Sequence, residues 1–110
     1  MTKNPPKTGR SDEEPRHKWA ATISELGESG LALRAPLTVT LEDFGEEIIA
    51  SYPEVEAFGS GATEADAINA LKDEISGLYA ELTTTPESRL GKLPRRWKRA
   101  LCAVAYASVA

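Results

Sequence analysis

The chain of 110 residues holds a single cysteine, Cys102, and a single histidine, His17. A lone thiol cannot close an intrachain disulfide, and one cysteine with one histidine cannot supply a zinc site of nitrogen and sulfur ligands. Nucleophilic catalysis is poorly served too, because it needs a base beside the nucleophile. His17 lies near the N-terminus, while Cys102 sits among alanines and reads as a small buried hydrophobe. Aromatic residues make up only 6% of the chain, so the expected core is aliphatic and alanine-rich. No apolar run approaches the ~18–20 residues of a membrane-spanning helix. Residues 1–6 lead into no apolar segment, so no secretory signal is expected. These shortages point to one reduced, cytoplasmic, metal-free domain without a cofactor. The 41% hydrophobic and 27% charged residues are an ordinary globular balance.

What the chain does have is charge, unevenly placed. Residues 1–41 carry a net charge of +1, residues 42–87 carry −11, and residues 88–110 carry +6. An acidic middle is therefore followed by a wholly basic end. The two can attract each other within the fold, or each can meet a different partner.

Residues 1–18 hold three prolines and dense charge with Met1 as the one apolar side chain. They read as a disordered tail ahead of a single domain over residues 19–110. Residues 20–26 are ambiguous between a short strand and a helical turn, and Leu31–Pro36 reads as an edge strand. Leu37, Val39 and Leu41 alternate with Thr38, Thr40 and Glu42, which is the period of a strand with one buried face. A glycine-containing turn at 43–46 leads to a partner strand over 47–52, stopped by Pro53. Glu54–Phe58 then reads as a third strand closed by Gly59-Ser60-Gly61.

The best-specified element follows. Thr63 is a good N-cap, and Glu64 and Asp66 put negative charge in the first turn. Ile68, Leu71, Ile75, Leu78, Tyr79 and Leu82 form one stripe of a 3.6-residue helix, which predicts a helix over 63–82 covering a sheet face. Pro94 suits the first turn of a basic C-terminal helix over about 94–107. In it Trp97, Leu101 and Val104 line one side, against Arg95, Arg96, Lys98 and Arg99. The expected fold is α+β: an antiparallel sheet of three to four strands, one amphipathic helix packed across it, and a C-terminal helix. Its expected core is Leu37, Val39, Leu41, Ile48, Ala50, Val55, Ile68, Leu71, Ile75, Leu78, Leu82 and Trp97.

Catalytic constellations find little support. The carboxylates around the 43–46 turn, on the 54–58 segment and along the helix are not forced to converge on one metal pocket. Gly59 and Gly61 precede a helix, but no Gly-Lys-Ser/Thr follows, and Glu64 and Asp66 would repel a phosphate. The expectation is a binding protein rather than an enzyme, with no catalytic, cofactor-binding or metal-ligating residues.

Over residues 36–82 the sequence resembles the HicB-like antitoxin domain. The resemblance rests on Tyr52-Pro53-Glu54-Val55, on the run from Gly61 to Ala67 and on the helix around Leu71-Lys72-Asp73-Glu74-Ile75. Pro53, Val55, Gly61, Thr63, Glu64 and Ala67 fit the family's pattern. Glu56-Ala57 stands where the family has a second proline–glycine pair. The resemblance implies a partial ribonuclease-H-like fold without ribonuclease activity. It also implies the role of a bacterial toxin–antitoxin system's antitoxin, which blocks a small basic RNA-cleaving toxin, and a tendency to form dimers or tetramers. A strongly acidic middle suits such a role, because complementary charge speeds encounter and excludes wrong partners. Glu46, Glu47, Glu54 and Glu56 are the candidate partner-binding residues. One alternative is a nucleic-acid-binding protein acting through Arg95, Arg96, Lys98 and Arg99. The other is a solitary HicB-like protein with a role of its own.

Overall fold

The computed structural model describes residues 14–27 and 29–107. The fold is α+β. Strands β1 (His17–Ile23), β3 (Leu37–Asp43), β4 (Ile48–Tyr52) and β5 (Ala57–Gly61) form an antiparallel sheet in the order β1-β3-β4-β5. Helix α1 (Glu64–Thr84) packs across β5 and β4. Helix α2 (Lys92–Val104) packs on α1 and on a 3-10 turn at Pro53–Val55. A second, two-stranded sheet joins β2 (Leu31–Leu33) to β6 (Ala105–Ala107).

Strand alternation in β3 sorts the main sheet into two faces. Cross-strand register puts Trp19, Leu41, Ala50 and Gly59 in one row, flanked by rows containing Ala21, Val39, Tyr52 and Ala57. Val39, Leu41, Ala50 and Ala57 are buried on this inner face, together with Leu71 and Ile75 from α1. Eight of the twelve expected core residues are buried. Ile48, Ile68, Leu78 and Trp97 are half-buried against them. The core also takes in Ile23, Leu26, Tyr52, Ala67 and Leu101.

Several boundaries differ from the sequence reading for identifiable reasons. His17 and Lys18 belong to β1 rather than to a tail, because they continue its ladder with Asp43 and Glu42. The expectation for residues 1–13 lies outside the described residues. Leu31–Leu33 does not edge the main sheet. Gly27 and Gly30, at φ of 71° and 82°, turn the chain away, and β2 pairs with the chain's end instead. Residues 105–107 are accordingly strand and not helix. Ala105 adopts an extended conformation, and Arg34 N–H donates to the Val104 carbonyl at 2.7 Å. The run of small residues there carries no pattern that would have marked the change.

The third strand also shifts. Pro53–Val55 is a 3-10 turn, and Glu56 leaves it in the left-handed region at φ 55°. Gly59-Ser60-Gly61 therefore belongs to β5 itself, with Gly59 inside the strand and Gly61 its last residue. Their missing side chains let α1 approach: a Cβ on Gly59 would stand 2.2 Å from Leu71 N, and one on Gly61 would stand 2.4 Å from Asp66 Cβ. Helix α1 starts where expected, with Thr63 Oγ1 accepting from Asp66 N–H at 3.1 Å. It runs two residues past Leu82, and there the threonine hydroxyls bond back to carbonyls of the preceding turn. Thr83, Thr84 and Thr85 donate to the Tyr79, Ala80 and Glu81 carbonyls at 2.8, 2.8 and 2.7 Å.

Two expected results concern stability. Ser76 Oγ on α1 is buried and finds no partner among the described residues. Ser76→Ala removes this unsatisfied hydroxyl and improves helix propensity, so it should raise stability by about 1 kcal/mol. A thermal melt reads this as an increase of roughly 4 °C or more, and a lower melting temperature would contradict it. Tyr52 is buried in the core, and that burial, reinforced by the charge of Glu54, raises its phenol above the usual 10.0. A folded pKa above the unfolded one means that stability is complete below the unfolded value and is lost as pH rises through the folded one. Denaturant titrations above about pH 10 should thus show falling stability, with a shallower fall in Tyr52→Phe. Equal slopes would assign the alkaline loss elsewhere.

Candidate interaction surfaces

The outer face of the main sheet is built by the residues between the core rows. Register places Ala20, Thr40, Ser51 and Phe58 in one row, Lys18, Glu42, Ile49 and Ser60 in the next, and Thr22 opposite Thr38 beyond. Antiparallel sheets commonly leave one face to water, and small hydroxylated residues suit that position. Phe58 does not: it is 61% exposed and is the largest apolar group on this face. Ile49, half-buried, lies on the diagonal beside it, within the reach of an aromatic ring across two strands. Lys18 and Glu42, directly opposite each other, form an ion pair at 3.8 Å.

The four candidate glutamates are not one cluster. Glu46 and Glu47 lie in the turn before β4, and Glu54 and Glu56 lie beyond its far end. Five strand residues at about 3.4 Å each separate the pairs by roughly 17 Å. Nor do Glu54 and Glu56 share a strand face, because the 3-10 turn and the left-handed Glu56 replace the strand expected there. The two pairs instead mark the two ends of β4, and Phe58 stands on the adjacent strand between them. The outward place of Phe58 follows from the inward place of Gly59, an alternation that glycines closing a strand would not carry.

The basic residues do share an element. On α2, Trp97, Ala100, Leu101 and Val104 face the core, and Lys92, Arg95, Arg96 and Arg99 are exposed. Lys98 Nζ donates to Glu87 Oε1 at 3.0 Å, and Arg95 Nε and Nη2 reach the Glu87 carbonyl at 3.4 and 3.3 Å. The hydrogen bond from Lys98 is the main reason the Glu87 carboxyl is held below its usual range, with Lys98, Arg95 and Arg99 adding charge attraction. Cys102 is exposed, not buried as its neighbours suggested. Leu101 takes the core side, and a step of about 100° turns the next residue outward.

Elsewhere, Lys72 Nζ bonds Glu25 Oε2 at 2.7 Å, tying the segment after β1 to α1. That contact, with the Gly27 N–H, lowers the Glu25 carboxyl. Lys72 also lines a shallow depression of about 250 Å³ with Leu26, Gly27, Ser29, Asn69 and Asp73. This is below the usual range of ligand pockets, roughly 300–1,000 Å³. Among the described residues, no three His, Cys, Asp or Glu side chains are arranged to hold a metal ion, and no helix is long and apolar enough to cross a membrane. Comparison with protein-family models, curated proteins and solved structures finds no match.

Proposed function

We propose that this chain is a non-enzymatic, HicB-like binding module of antitoxin type, working in the cytoplasm and docking a small basic protein on the outer face of its four-stranded sheet. The observation that carries the reading is Phe58, 61% exposed on a mainly polar face whose β4 is flanked by glutamates at both ends. Binding energy in protein interfaces concentrates in a few aromatic anchors surrounded by polar groups that exclude water. A rim of carboxylates selects a cationic partner and steers its approach. The residues of the HicB resemblance serve this arrangement. Pro53 and Val55 make the turn between β4 and β5, Gly61 ends β5, and Thr63 caps the helix that closes the opposite face.

The test is purification of the tagged chain from its own host at moderate salt, with mass spectrometry of what accompanies it. The expected result is a stoichiometric basic protein of well under about 100 residues. Charge reversal of Glu46, Glu47, Glu54 and Glu56 to lysine should release it while the circular dichroism stays native. Recovery of the chain alone, or retention of the partner by the charge-reversed variant, would overturn the reading.

A further inference from the structure

The protein-docking reading makes no use of the basic end of the chain. Between Arg89 and Ala107 there are six Lys and Arg residues and no carboxylate. Lys92, Arg95, Arg96 and Arg99 stand at offsets 0, 3, 4 and 7 on α2, which is one stripe of a helix, and all four are exposed. Beyond the helix, Arg34 places its guanidinium 4.8 Å from the Tyr106 ring centroid, adding a cation at this end of the domain.

We infer that this stripe is a docking ridge for the phosphate backbone of a nucleic acid, engaged without reading base sequence. Three features of the ridge favour that ligand. From Lys92 to Arg99 the helix rises about 10 Å, and a duplex presents a phosphate charge about every 1.7 Å of its axis, so a face of this length offers at least one phosphate to each of the four cations. Three of its four cations are arginines, whose planar forks grip phosphate oxygens in pairs. The ridge also carries no aromatic anchor. Trp97 is turned to the core with Leu101 and Val104, and Leu93, 39% exposed, is the one large apolar side chain that α2 presents, so a protein partner finds no aromatic hot spot there.

Glu87 sets the strength of the ridge. Its carboxylate holds Lys98 at 3.0 Å, and its backbone carbonyl holds the Arg95 guanidinium. Lys98 is thereby withheld from any phosphate, and Arg95 is oriented within the stripe. Removing the carboxylate should add one cation to the count.

Fluorescence anisotropy with labelled duplex RNA and duplex DNA of mixed sequence tests this from about 50 to 200 mM salt. Four phosphate contacts predict that log K falls with log salt at a slope of about −3.6, similar for both duplexes. Arg96→Glu with Arg99→Glu should weaken binding at least roughly tenfold with an unchanged thermal melt, and Glu87→Gln should steepen the slope by about 0.9. The inference is overturned by no anisotropy change at the lowest salt. It is equally overturned by binding that survives the double reversal, or by a polyglutamate peptide that competes as well as the duplexes. None of these results bears on Phe58 or the sheet face, so the two readings fail separately.

Discussion

Gly59→Ala is expected to cost about 3 kcal/mol or more and to lower the melting temperature by roughly 12 °C or more. The added Cβ would lie 2.2 Å from Leu71 N, 2.7 Å from Ala67 O and 2.7 Å from Ala70 C. All three are backbone atoms of α1, so no side chain can swing aside; the helix itself must lift from β5. Leu71 and Ile75, both fully buried, would lift with it. Against a total stability of roughly 5–15 kcal/mol, a loss of this size removes about a fifth to three fifths of the whole. Gly77→Ala supplies the control. It is on the same helix, its Cβ would meet nothing within 4 Å, and the better helix propensity of alanine should raise stability by up to about 1 kcal/mol. Opposite signs for the two substitutions, read by denaturant titration, are the expected outcome. A Gly59→Ala variant as stable as the parent would mean that α1 does not rest on β5.

Phe58→Ala should separate binding from folding. With the ring 61% exposed, its loss should change stability by no more than about 0.5 kcal/mol. As the aromatic anchor of the docking face it should cost about 2 kcal/mol or more of binding, a weakening of roughly 30-fold. The measurement is calorimetric titration of parent and variant with the copurified partner. Tyr106→Ala, which truncates the other exposed aromatic at 41%, should leave that affinity unchanged. Equal affinities for the parent and Phe58→Ala would remove Phe58 from the interface.

The elements with strong periodicity were legible in the sequence. Leu37, Val39 and Leu41 announce β3 by alternation, and the stripe from Ile68 to Leu82, capped at Thr63, announces α1. The failures cluster where tertiary contacts override local chemistry. Gly59 and Gly61 look like turn residues to any local reading, because glycine's usual role is conformational; here its role is the absence of a Cβ under a crossing helix. Leu31–Leu33 and Ala105–Ala107 pair across more than seventy residues, and nothing in either triplet names the other. The candidate surface suffered in the same way. Glu46, Glu47, Glu54 and Glu56 are near one another in sequence, and the length of β4 separates them into two pairs. The outward orientation of Phe58 depends on the register of β5, and that register depends on the glycines, so no local pattern marks it. The basic face of α2 was legible in part, since helical spacing needs no distant partner: Arg95, Arg96 and Arg99 share it, but Lys92 completes it in place of Lys98, which bonds Glu87.

A partner that covers the outer sheet face must shield its side chains, and hydroxyl-radical footprinting reads side-chain cover directly. The comparison is between the chain alone and the chain in the complex isolated with it. Phe58, reactive in the free protein, should become protected in the complex, while Tyr106 stays as reactive as before. Phe58 equally reactive in both states, or protection appearing at Tyr106 in its place, would contradict the account.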